Sequence, residues 1–188
     1  MPKSKATKSR SAKVKKAAAK PSTATSTAAR AQDTSLRKHL LDLLSSNNAH
    51  VDFEKTLGEF PAHLRGMKPA GLPHSAWQLL EHLRVAQWDI VEFSYDARHI
   101  SPEFPGGYWP KTDTPPDTAA WDESLASFRR DLKKMEKLVS DPKVDLHAEI
   151  PHGHGHTVLR EALLLADHNA YHLGQLLILR RLLGAWSG

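Results

Sequence analysis

The chain contains no cysteine. That excludes disulfides, thiolate metal ligands and a cysteine nucleophile, so any metal site must be built from nitrogen and oxygen donors. It also suits a reducing compartment, and a cytoplasmic protein is expected. A second absence is a long apolar run. Arg160, Asp167 and His168 interrupt the longest one, which leaves nothing near the roughly 20 residues a membrane helix needs. Acidic side chains are missing from residues 1–30, which hold seven Lys and two Arg. After the initiator this stretch has one large aliphatic residue, Val14, too little to offset the entropy of ordering. Residues 1–32 are therefore predicted to be a disordered tail rich in Lys, Ala, Ser and Thr, making at most weak, non-specific contact with polyanions. The tail lacks the apolar segment of a secretory signal and the apolar face of a transit peptide.

Without residues 1–30 the chain carries 17 basic against 21 acidic residues. The pI of about 9.5 thus belongs to the tail, and the mildly acidic remainder argues against a nucleic-acid-binding domain. Residues 33–188 are long enough for one domain with a real core.

Four helical segments are legible in that domain. "DTSLRKHLLDLLSSNNAH" opens on a capping cluster, Asp33 to Ser35, followed by Leu36, Leu40, Leu43 and Leu44 at helical spacing. A short helical turn is expected near residues 51–58. "SAWQLLEHLRVAQWDIVEFS" follows Pro73, with Ser75 as its N-cap. "YDARHISPEFPGGYWPKTDTPP" has five prolines and two glycines and reads as a long loop, pinned over one end of the fold by Tyr108 and Trp109. "DTAAWDESLASFRRDLKKMEKLVSD" is the third, amphipathic helix. The fourth opens near Thr157, ends on Arg180 and Arg181, and has Gly184 as its C-cap. No strand pattern appears, so the fold class is all-α, a four-helix bundle.

The fourth helix carries "DHNAYHLG", two histidines one turn apart. Spacing alone selects nothing, because His152 and His156 share it. Position does. At 100° per residue His168 and His172 lie on a stripe with Glu161, Leu164, Leu165, Gln175 and Leu179, which reads as inward-facing. His82, on the second helix, shares a face with Gln78, Leu79, Val85, Ala86, Asp89 and Phe93. A lone core histidine usually satisfies a backbone carbonyl, but three inward histidines on two helices point to a bundle-core metal site. Three imidazoles leave at least one coordination position open, as catalytic sites do. Asn169 stands where a zinc protease has its catalytic Glu, Glu81 and Glu161 are wrongly spaced for a di-iron site, and no Ser lies in a G-x-S-x-G elbow. "HGHGH", His152 to His156, reads as a mobile connector with loose affinity for metals. His39, His50, His63, His74, His99 and His147 take surface or packing readings.

At "LPHSAWQLLEHLRVAQW", "SPEFPGGYWP" and "LREALLLADHNAYHLGQLLILRRLLG" the sequence resembles the DinB-like (damage-inducible, YfiT-related) superfamily of metal-binding four-helix bundles. The resemblance covers about residues 34–186. It implies up-down-down-up topology, a divalent metal held by His82, His168 and His172, and frequent homodimers. It also implies reactions such as thiol-dependent S-transfer and isomerisation with low-molecular-weight thiols, although many members have no assigned reaction.

The leading functional expectation is a metal-dependent enzyme acting on a small molecule, of thiol S-transferase or hydrolase type, because an open metal position lowers the pKa of a bound thiol or water. Gln175, one turn beyond His172, would orient a ligand or substrate. The alternative is a non-enzymatic metal-binding stress-response protein. Imidazole donors suit zinc, nickel and iron alike.

Overall fold

The computed structural model describes residues 23–45 and 49–186, with side chains from residue 27 onward. The expected polyanion contact falls on the tail, whose residues 1–22 lie outside the described residues. Among the described residues there are five α-helices, α1 (Thr23–Leu44), α2 (Phe53–Leu57), α3 (Ala76–Tyr95), α4 (Thr118–Ser140) and α5 (Val158–Leu182). No strand is present among them beyond an isolated bridge between Glu149 and Thr157. The long helices α1, α3, α4 and α5 form the bundle, and none is long and apolar enough to cross a membrane.

α1 begins ten residues before Asp33, so the expected boundary at residues 32/33 falls inside a helix. Asp33 is not a cap. Its carboxylate accepts from Arg37 Nε one turn on, at 2.8 Å. The upstream residues contain Ala24, Ala28, Ala29 and Ala31. Alanine propagates a helix without burying anything, so the backbone continues where the amphipathic pattern has stopped. The other starts lie where their capping residues put them. Ser75 forms a full capping box with Gln78, Asp117 accepts from the Ala120 amide, and Thr157 accepts from the Arg160 amide. Gly184, just past α5, has φ +69°, the left-handed conformation that glycine adopts without a Cβ clash.

Cross-helix contacts set the directions. Going down α3, Glu81 meets Ser124, Gln87 meets the Phe128 carbonyl and Glu92 meets Lys134. Both numberings rise together, so α3 and α4 are parallel. Against α5 the order reverses: His82 meets His168, while Phe93 meets His156 just ahead of the helix. α1 runs with α5. Arg37 sits at the end of α4, beside the connector into α5, and Leu43 sits further along, beside Leu163 and Ala170. The topology is up-down-down-up. The loop of residues 96–117 makes it possible, because it carries the chain back along the bundle between two parallel helices.

Two apolar clusters fill the bundle. One, around Phe53, Trp77, Leu80, Trp121, Phe128 and Leu176, lies toward the start of α3. The other, around Leu40, Val91, Met135, Val139 and Leu165, lies toward its end. An arginine closes each end, Arg37 buried and Arg180 half-buried. Arg37 donates to the carbonyls of Val139, Asp141 and Val144 at 2.7, 3.0 and 2.6 Å, satisfying groups left open where α4 stops. Arg180 does the same for Lys55, Thr56 and Gly58, which docks α2 on α5.

Candidate metal centre

Between the two apolar clusters the bundle has a polar waist. On α3 it spans residues 82–89 and on α5 residues 168–172. In its centre Gln87, 1% exposed, donates to the Phe128 carbonyl at 2.6 Å and accepts from Asn169 Nδ2 at 2.9 Å. This buried pair meets the requirement that interior amides be hydrogen-bonded. Of this pair's side-chain atoms, Asn169 Oδ1 has no partner among the described residues.

Nearer the surface, the waist brings together His82, His168 and His172. Their ligand nitrogens all lie within 4.8 Å of one another. Among the described residues no other group of three or more His, Asp or Glu is arranged to hold a metal. His82 and His172 have defined tautomers. His82 Nδ1 donates to the Tyr108 carbonyl at 3.1 Å, and His172 Nδ1 donates to Gln175 Oε1 at 3.0 Å. Each ring therefore turns an unprotonated Nε2 toward the cluster, which is how carbonyl and amide partners prepare imidazoles for a metal. His168 Nε2 approaches His82 Nε2 at 3.1 Å, and its buried Nδ1 has no partner. A tetrahedral ion with Zn–N bonds of about 2.0–2.1 Å separates two ligand nitrogens by about 3.4 Å, close to this gap. The donor set fits a divalent ion.

Burial controls the charge here. It pushes His82 and His168 down to about 4 from the usual 6.5. For His168, the neighbouring rings of His172 and His82 add to the effect. His172 is lowered as well, again by burial. All three are neutral bases at pH 7, the state a metal requires.

The loop covers this site rather than merely one end of the bundle. Trp109 lies flat on His82, with ring centroids 3.9 Å apart and planes within 2°. Its other neighbour is His74, stacked at 4.1 Å. Tyr108 holds the loop down, donating its hydroxyl to Asp89 Oδ2 at 2.6 Å. The second oxygen of Asp89 accepts from His99 Nε2 at 2.7 Å. Burial first, and the Asp89 carboxylate second, push the Tyr108 hydroxyl up to about 12, so it remains a donor. A cleft of about 320 Å³ adjoins His172 and Gln175, with His74 and Trp109 on its opposite side.

His74 and His99 are absent from the expected site, and no local pattern marks them. His74 precedes the α3 cap, and His99 sits in the loop, so only the folded chain places them. Two other expectations need correction. Leu164, placed on the inward stripe, is 37% exposed and lines the surface hollow at the start of α5. The HGHGH tract is a tight turn rather than a loose connector. The Ile150 amide donates to the His156 carbonyl at 2.8 Å, His152 Nε2 donates to the Phe93 carbonyl at 2.7 Å, and His156 Nδ1 lies 3.0 Å from buried Glu161.

The family profile of the DinB superfamily matches residues 47–176, a span that contains all three histidines. The chain belongs to the DinB superfamily. Comparison with curated proteins and with solved structures finds no match. In this DinB-superfamily chain the match begins after α1 and includes the loop, so it covers every residue that builds the polar waist.

Proposed function

We propose that the protein is a divalent-metal-binding DinB-superfamily enzyme acting on a small molecule, of thiol S-transferase or hydrolase type. One observation carries this reading. Three neutral imidazoles converge, two of them held by Nδ1, and one of the three, His172, lines a cleft. The metal would be held by His82, His168 and His172, and when bound would lower the pKa of a thiol or water to give a nucleophile near neutral pH. Tyr108 and Gln175 orient two of the rings. His74 places a titratable ring on the cleft, where burial and the charge of Lys68 hold it below the usual histidine range. Trp109 shields the face of His82 from water. A second copy of the chain is a further expected partner, and a reducing cytoplasm is the compartment that suits a protein without cysteine.

Metal analysis of the full-length protein after chelator washing tests the first half of this reading. The expected result is one equivalent per chain, lost in His168→Ala while helical circular dichroism is kept. Turnover of thiol-reactive electrophiles by the loaded protein tests the second half. Stoichiometric metal without turnover of any thiol or hydrolytic substrate would favour a metal-binding stress-response protein instead.

A further inference from the structure

The cleft beside the three histidines differs in chemistry from the other hollows on the surface. The groove between α1 and α5 carries Asp42 and Asp167, and the hollow at the start of α5 carries Arg160 and Asp167. The 320 Å³ cleft has no Asp, Glu, Lys or Arg in its lining. Its walls are Leu72, Pro73, Leu79, Tyr171 and the edge of Trp109. The faces of Trp109 are occupied by His74 and His82.

Its polar groups are few and only partly paired. Gln175 spends its Oε1 on His172, and its amide nitrogen has no hydrogen-bond partner among the described residues. The His74 ring stacks on Trp109 and likewise makes no hydrogen bond among them. Tyr171 stands on the rim, 65% exposed, its ring edge-on to His172. Ligand sites commonly combine apolar walls with a few convergent polar groups that fix orientation. Lys68 and Arg84 are taken up by Asp113 and Glu81.

Taking the metal reading as given, we infer that this site selects a small molecule with an uncharged, ring-sized apolar body, bound through one donor atom at the position left open by His82, His168 and His172. The body lies along Leu72, Leu79 and Tyr171. An acceptor atom next to the donor takes the free Gln175 amide. A carboxylate or phosphate on the body has no cation to meet in the lining and would lose hydration without replacement.

Co²⁺-loaded full-length protein, titrated by visible absorption, tests this with three probes: imidazole, 4-phenylimidazole and 4-(imidazol-4-yl)benzoate. 4-Phenylimidazole is expected to bind at least tenfold more tightly than imidazole, and the benzoate to lose that advantage. Leu72→Ala and Tyr171→Ala should each shrink the phenylimidazole-to-imidazole ratio by threefold or more. A ratio near one, an equally tight benzoate, or a ratio unmoved in both variants would overturn the inference while leaving the metal reading intact. A protein that takes up no Co²⁺ overturns the metal reading. The cleft is then judged on the metal-free protein by saturation-transfer NMR with 4-phenylimidazole. Saturable binding weakened by Tyr171→Ala supports the apolar site, and no binding rejects it.

Discussion

His168 shows how one side chain couples stability to pH. Its Nδ1 is buried without a partner and its Nε2 faces another imidazole, so a proton on the ring gains nothing in the fold. With folded values near 4 for His168 and His82 against about 6.5 in the unfolded chain, the unfolded state binds more protons between those limits. Stability then rises with pH in that interval. The metal-free protein should be most stable above pH 6.5 and lose stability as the pH falls toward 4. Urea midpoints at pH 8, 6 and 5 should decline in order, and His168→Gln should flatten the decline. Equal flattening by His39→Gln, an exposed ring on α1, would remove His168 as its cause. Metal affinity should fall over the same range, since the ligands must be neutral.

The loop of residues 96–117 acts as a latch. Asp89 holds the Tyr108 hydroxyl, the Tyr108 carbonyl holds His82, and the next residue stacks on the same ring. Tyr108→Phe keeps the carbonyl that holds His82 and frees only the hydroxyl from Asp89, so it should keep the fold and weaken metal affinity by less than the roughly 10–100-fold cost of losing a direct outer-shell partner. Competition with a chromophoric chelator would measure it, and an unchanged affinity would show that the latch does not tune the site. The turn before α5 plays a different part. Replacing His152, His154 and His156 together should leave one equivalent of metal per chain. It should cost about 1–3 kcal/mol, because the Phe93 carbonyl loses its partner and Glu161 keeps only Arg160. Loss of the metal in that variant would move the site out of the bundle.

Two apolar clusters with a polar layer between them make a fold expected to stand without a bound ion. The metal-free protein should remain helical at pH 8. Saturating metal should add about 4 kcal/mol when free metal is roughly a thousand times Kd. Calorimetry with and without metal would read this as a shift in Tm, and the shift should vanish in His168→Ala. Removing residues 1–22, which precede α1, should leave Tm within about a degree or two, as expected for a segment whose one large aliphatic residue after the initiator is Val14. A larger drop would show that this segment packs on the bundle.

The helices and their inward histidines are local properties, so they were legible in advance. A 3.6-residue period places His168 and His172 one above the other, and caps such as Ser75 and Thr157 fix where helices begin. The start of α1 was not legible, because alanines extend a helix without leaving an apolar stripe. Partners distant in sequence were not legible either. Nothing local sends Gln87 to Asn169, or Tyr108 to His82 across 26 residues. His74, His99 and the uncharged cleft come to the candidate site only because parallel α3 and α4 require a long crossover, and packing lays that crossover over the histidines. Periodicity and capping act over a few residues, whereas a site made of facing helices and a returning loop exists only once the chain has closed on itself.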